Sequence, residues 1–279
     1  MIERAALTPP LLTTTTSDGT THRLWSVTAC DDLATVSKDL STCRALIADG
    51  HHRWAMYLRL QREHRYLAHS PWDRGLVLLV DTARYPLRVR AIHRVLHQLP
   101  LADALAALAT DGAGSGFGDG FSDGFGDNET WSVSGPLSGQ DVALSAQKAA
   151  KAAGQNAFVL AGEGRFHLVT GPDKATLDAA VPADRPEEYR RLDATVLHSV
   201  LLDRVWNVPD APEHIGYVHD TDAAVREAER GGGTAVLLQP VAEGVVRRLA
   251  EQGVTMPRKS TSFGPKPATG LVLRSLLLG

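Results

Sequence analysis

Cysteine is scarce in this chain: only Cys30 and Cys43 occur in 279 residues. Two thiols cannot build a disulfide framework, and without a Cys-x-x-Cys pair they offer no zinc site of the usual spacing. A reducing cytoplasm is the simplest compartment for such usage. No apolar run approaches the roughly 20 residues needed to cross a bilayer. The start, MIERAALTPPLLTTTT, lacks the basic-then-apolar order of a secretory leader. No membrane partner is therefore expected. Neither sign of charge dominates, since 29 Lys+Arg against 32 Asp+Glu leave a net −3. That balance gives no bulk attraction to nucleic acid, and the chain has no helix-turn-helix or basic-aromatic module. A Gly-x4-Gly-Lys-Ser/Thr loop is also missing, which excludes a P-loop kinase. The remainder, 43% hydrophobic and 22% charged, is that of a globular protein of one or two domains.

Strand and helix signals alternate along most of the chain. The run HRLWSV at 22–27 reads as a strand, and 31–40 has helical spacing through Leu33, Val36 and Leu40. Residues 45–48 read as a short strand before Asp49-Gly50, with a helix following. The uninterrupted runs GLVLLV (75–80) and TAVLL (234–238) read as strands buried on both faces, as in a parallel sheet. Residues 92–108 read mainly as helix. Further on, an Ala-rich helix at 141–153 precedes a hairpin around GEG, with strands at 156–160 and 165–169. Helices follow at 194–205, 221–230 and 241–252, and a short strand at 216–219. This alternation predicts a mixed α/β core.

Residues 111–135 break the pattern. The near-repeat GFGDGFSDGFGD is low in complexity and rich in glycine, so a disordered insertion is expected whose removal costs little. Asp119, Asp123 and Asp127 are spaced four apart with no closing glutamate, which does not match a calcium loop.

The densest polar cluster is DGHHR, Asp49 to Arg53. Strand, Asp-Gly turn and helix is an arrangement that aims free backbone N–H groups and the positive helix end at an anion. Gly50 lets the backbone approach a ligand, Arg53 offers a planar fork to phosphate oxygens, and His51 and His52 can carry protons. Two other readings stand beside this one. The turn can be a solvated helix start, or a metal site if the fold brings His93 and His219 to the same place. The segment MPRKSTSFGPK, 256–266, sets cations among hydroxyls and prolines. There Lys259 and Lys266 could neutralise phosphates, with Ser260 and Thr261 donating hydrogen bonds; a solvated basic loop is the alternative.

DGHHRW with its helix, the TAVLLQP strand and MPRKSTSFGPKPATGLV together resemble the DUF1015 family. Ile92-His93-Arg94, Leu197-His198 and Tyr217 to Asp220 are similar to further pieces of its pattern, in order from about His22 to Val272. The resemblance implies an α/β fold of mixed α+β type. In it, a ParB/sulfiredoxin-like phosphate-binding turn in residues 1–110 is followed by the 111–135 insertion and a C-terminal α/β part, 136–279. It further implies nucleotide binding, with ATP or ADP held at Gly50, Arg53, His93, Arg94, Lys259, Ser260, Thr261 and Lys266. Asp49, His51 and His52 would be the catalytic side chains. The superfamily's kinases for free L-serine imply phosphoryl transfer to a small hydroxylated metabolite, with Mg2+ carried chiefly by the nucleotide. Family members usually carry a long segment before HRLW, and this chain begins almost there. A non-catalytic nucleotide-binding module is thus the second expectation. Self-association, or a partner chain covering the missing part, is expected with it.

Overall fold

The computed structural model describes residues 2–65, 70–110, 130–137 and 142–275. The chain divides into two units, Val89–Ser262 and Met1–Arg88 with Phe263–Gly279. Most of the insertion, 111–129, lies outside the described residues, and with it Asp119, Asp123 and Asp127. Among the described residues no helix is long and apolar enough to cross a membrane.

The larger unit is built on one six-stranded sheet in the order Ser132–Ser134, Arg165–Thr170, Ala157–Gly162, Thr234–Leu237, His93–Leu96, Ile215–Val218. Every neighbouring pair is antiparallel, which corrects the parallel arrangement expected from the apolar runs. The runs arise because both faces of an antiparallel sheet are covered here. In Ala157–Gly162 all six residues are buried, and alternation sends them into two clusters. Phe158 and Leu160 join Leu96, Val236, Leu105, Leu197 and Leu201 on one face. On the other, Ala157, Val159 and Ala161 join Val95, Ala235, Ala146, Ala150, Ala224 and Ala228. The second face is dominated by alanine, so the helices Val142–Ala153 and Thr221–Gly231 can lie close against the sheet.

The hairpin around GEG and the strand at 234–237 lie where the sequence puts them. The stretch 92–108 does not form the helix expected. It divides into the buried strand His93–Leu96 and the helix Leu101–Thr110. Pro100 separates them, because proline disfavours helical backbone in the residue before it. At the end of the glycine-rich stretch, Trp131 is buried and Ser132–Ser134 pairs with Arg165–Thr170.

The smaller unit contains a hairpin of Leu12–Thr15 with Thr21–Leu24, and the helices Cys30–Ser41 and His51–Glu63. No apolar side chain is buried among the described residues 2–88. Residues 45–48 and 75–80, both expected as strands, have no regular structure. The second of these is open to solvent, with Leu78 68% exposed. An apolar run predicts a buried strand only where another layer covers it.

Candidate functional site

In the smaller unit the DGHHR turn opens the helix His51–Glu63. Gly50 occupies the N-cap position at φ 89°, in the left-handed region where glycine carries no steric penalty. Its N–H donates to Asp49 Oδ1 at 2.7 Å, and Trp54 N–H closes the first helical turn on Gly50 O at 2.9 Å. No side chain caps this helix and no acid sits in its first turn. The leading N–H groups and the positive helix end therefore face outward, with His51 and His52 exposed beside them. The Arg53 guanidinium folds back over Gly50, and a Cβ added there would come within 2.9 Å of Nη2. The backbone conformation favours glycine here, whereas the exposed Arg53 guanidinium could swing away from an added Cβ.

Two cations surround the acid of the turn. Lys266 Nζ donates to Asp49 Oδ2 at 2.7 Å, and Arg53 Nη2 lies 3.7 Å from the same oxygen. The hydrogen bond from Lys266, above all, holds the Asp49 carboxyl below the usual carboxylate range. Asp49 is thus ionised and already engaged. Lys266→Met is expected to bring its pKa back toward the ordinary aspartate value, as followed by carboxyl-carbon NMR titration. An unmoved titration would mean that Lys266 is not its partner in solution.

The larger unit gathers a second cluster from separate stretches: Arg94, His198, Asp210 with Tyr217, and Arg258. Arg94 is the second residue of His93–Leu96 and is fully buried. Its Nη1 donates to Ile92 O at 2.5 Å, while Nε and Nη2 reach His198 Nε2 at 3.3 and 3.2 Å. The guanidinium lies 4.7 Å from the centre of the Tyr217 ring, whose hydroxyl donates to Asp210 Oδ1 at 3.0 Å. Among the described residues no carboxylate is paired directly with Arg94. Burial lowers its pKa to about 10, which still leaves it charged at neutral pH. Burial, then Arg94 beside it, lowers His198 to about 4. That imidazole is neutral, and its Nε2 serves as an acceptor. His198 sits in Leu197–Val205, where the helix widens to π geometry, a distortion often found at functional sites. Arg258 is exposed, and its charge is felt by both His198 and Tyr217.

His93 and Arg94 were expected together but point to opposite faces of the sheet, as adjacent strand residues must. The His93 ring is held on both sides. Nδ1 accepts from Leu238 N–H at 3.2 Å, and Nε2 lies 3.1 Å from Thr221 Oγ1. Burial lowers its pKa to about 4. In the C-terminal segment, Ser260 Oγ donates to Pro257 O at 2.7 Å and so closes its own turn. Lys259 is exposed at φ 55° and Thr261 is half-buried. These three belong to the larger unit, whereas Lys266 belongs to the smaller.

No group of three or more His, Cys, Asp or Glu side chains among the described residues could hold a metal ion. His93, within the larger unit, is committed on both ring nitrogens. Sequence reasoning singled out Asp49, Arg53 and Lys266. It missed Asp210, His198, Tyr217 and Arg258 as side chains of one cluster, although three of them stand in or beside family-pattern segments.

No curated protein matches the chain. Among solved structures, a mutant of free serine kinase in complex with AMP is similar at 17% identity and TM-score 0.40, covering 78% of this chain and 67% of that one. A conserved hypothetical protein from Pyrococcus furiosus is similar at 18% identity and TM-score 0.40, covering 78% and 69%. The family match begins at residue 1 and stops at residue 195, so MPRKSTSFGPKP lies outside it. With residues 1–195 matched by its model, this chain belongs to the family described as protein of unknown function, DUF1015.

Proposed function

We propose that this chain binds ATP or ADP through its phosphates at the Asp49–Arg53 turn and passes a phosphoryl group to a small free hydroxy amino acid such as serine. The observation that carries this reading is the uncapped helix start at Gly50, with Arg53 and Lys266 beside it. Oriented N–H groups and mobile cations are what phosphoryl transfer needs, because its catalysis is mostly positioning and charge stabilisation. His51 and His52, exposed in the first turn, would exchange a proton with the acceptor hydroxyl. Mg2+ would arrive with the nucleotide and supply further charge neutralisation. In the larger unit, His93, Arg94, Lys259, Ser260 and Thr261 would add further polar groups for the nucleotide, with Lys259 the exposed member. The cytoplasm suits this chemistry, since the exposed Cys30 and Cys43 stay reduced there.

A second reading is a nucleotide-binding module without turnover. The Asp49–Lys266 ion pair favours it, because a carboxylate so engaged is a poor general base.

Titration calorimetry with ADP tests the binding step. Arg53→Ala should weaken binding by about 1.5–3 kcal/mol, the range for hydrogen bonds to charged groups. Thermal unfolding without ligand should stay unchanged, since the Arg53 side chain is 73% exposed. Equal affinity in the variant would remove Arg53 from the site. A phosphoserine assay with ATP or ADP separates the two readings. Binding without product supports the module, and neither binding nor product sinks both.

A further inference from the structure

We propose that Asp49 is a built-in competitor for its own turn: its carboxylate holds Lys266 while the turn is empty, and a nucleotide's phosphates take Lys266 from it on binding. This hand-over rests on the nucleotide reading of the turn proposed above and regulates that same site. The carboxylate already collects the donors that a phosphate would use. Oδ1 accepts from Gly50 N–H at 2.7 Å, Oδ2 accepts from Lys266 Nζ at 2.7 Å, and Arg53 Nη2 stands 3.7 Å from Oδ2. All of these groups belong to the smaller unit. Among the described residues neither Lys266 nor Arg53 forms an ion pair with any other acid. The N–H groups of His51, His52 and Arg53 lead the helix, and among the described residues they meet no acceptor. A phosphate arriving there finds both nearby cations engaged, and it also meets the negative charge that engages them.

The pair is built to be exchanged. Its side chains are 55% exposed at Asp49 and 53% at Lys266, and an ion pair so open to water adds little to fold stability. Lysine carries three rotatable donors on a flexible stem, so its ammonium can turn to a new anion without moving the backbone. A diphosphate brings more than one negative charge where Asp49 brings a single one, so it wins the shared cation. A ligand with one charge gains no more from Lys266 than Asp49 already does. Asp49 therefore biases the turn toward polyphosphates and against simple carboxylates. Once Lys266 has moved, the carboxylate stands unengaged beside the bound phosphates. The contact that makes it a poor base in the empty protein ends when the nucleotide arrives.

Titration calorimetry with ADP on four full-length proteins tests this: wild type, Asp49→Asn, Lys266→Met and the double variant. Asparagine can still accept from Gly50 N–H, so Asp49→Asn removes the charge and little else. It should bind ADP about tenfold more tightly than wild type, because the competing charge is gone. Lys266→Met should weaken binding in both backgrounds, and by several-fold more where residue 49 is asparagine. Only there does the lysine reach the phosphate without first leaving Asp49. A lysine that stayed on Asp49 in the complex would give the reverse order, since its loss would then leave an unneutralised carboxylate beside the phosphate. That reverse order would overturn the proposal, as would an Asp49→Asn variant that binds no better than wild type. Carboxyl-carbon NMR on the wild-type chain gives a check free of substitutions. Saturating ADP should raise the titration midpoint of Asp49, and an unmoved midpoint would also overturn the hand-over. ADP binding that Arg53→Ala weakens, together with either of these contrary results, sinks the hand-over alone. Absence of ADP binding in all four proteins sinks the phosphate site and the hand-over together.

Discussion

Replacing Trp131 by alanine should cost the larger unit about 3–5 kcal/mol, the range for emptying a buried aromatic site. The indole is 1% exposed and belongs to the apolar cluster of Phe158, Leu160 and Val169. Its ring also lies against Gly171, at φ 131°, where an added Cβ would meet the ring at 3.0 Å and Thr130 O at 2.5 Å. The neighbouring backbone is tied into the sheet through Ser132–Ser134 and cannot easily collapse into the void. For a unit of this size the loss corresponds to a fall in melting temperature of roughly 6–20 °C. Scanning calorimetry on wild type and Trp131→Ala at neutral pH reads it directly. A fall of less than about 2 °C, within the effect of an ordinary surface change, would show that the indole is not packed in solution. The same geometry bears on where the glycine-rich stretch ends. A deletion reaching Ser134 would remove both the tryptophan and an edge strand, so it should not be the nearly neutral change that composition suggests.

That boundary shows what local composition conveys. Glycine and aspartate dominate from 111 onward, and a window centred there extends low complexity to 135 although Trp131 is a core residue. Elsewhere the patterns suffice. Ala157–Gly162 and Arg165–Thr170 are apolar or alternating runs hinged on Glu163 and Gly164, whose positive φ values make the turn. Thr221–Gly231 announces both ends, with Asp220 accepting from Ala223 N–H and Gly232 in the left-handed region. The apolar spacing of 92–108 was ambiguous because a two-sided buried strand and a buried helix look alike over a few residues. Only Pro100 divides them. For residues 75–80 the apolar signal is real but the covering layer is not part of the local sequence, so periodicity alone cannot tell a buried strand from an exposed one.

The site was legible to the extent that its chemistry is contiguous. Asp49, Gly50 and Arg53 are neighbours in sequence, and a turn residue, an αL glycine and a cation at the next helical turn can be read off directly. The partnership of Asp49 with Lys266 spans 217 positions, and no spacing rule reaches so far. Lys266 was identifiable as a cation in a proline-set loop, but not as the group that holds Asp49 ionised. The cluster around Arg94 is similar. Ile92-His93-Arg94, Leu197-His198 and Tyr217 are legible as separate pieces, and antiparallel pairing of His93–Leu96 with Ile215–Val218 makes Arg94 and Tyr217 cross-strand partners. Strand alternation then decides which of the two adjacent cationic candidates joins them. It selects Arg94 and turns His93 to the alanine-rich face, where its ring bridges Leu238 and Thr221.

Those two buried histidines should dominate the acid sensitivity of the larger unit. His93 and His198 both fall from 6.5 to about 4 on folding, chiefly through burial. Between those values the unfolded chain binds more protons than the native one, so stability falls as pH drops from 6.5 toward 4. Protonation has a structural meaning at each ring: at His93 Nδ1 it breaks the bond from Leu238 N–H, and at His198 Nε2 it sets a second charge against Arg94. Asp193 opposes them. Burial raises its pKa from 3.8 to about 6, so in that window the native state holds the extra proton and acidification is stabilising. His167, whose pKa burial also lowers, acts with His93 and His198 while Asp193 acts against them, so stability should fall on balance as pH drops from 6.5 to 4. Asp49, Asp173 and Asp178 are held below 3.8 and titrate beneath this window. Urea unfolding at half-unit steps of pH measures the slope. His93→Gln, which keeps an acceptor and a donor without the titration, should make it shallower, and Asp193→Asn should make it steeper. A slope unchanged in both variants would show that these buried groups do not carry the acid response, and equal stability at pH 6.5 and 4 in wild type would refute it outright.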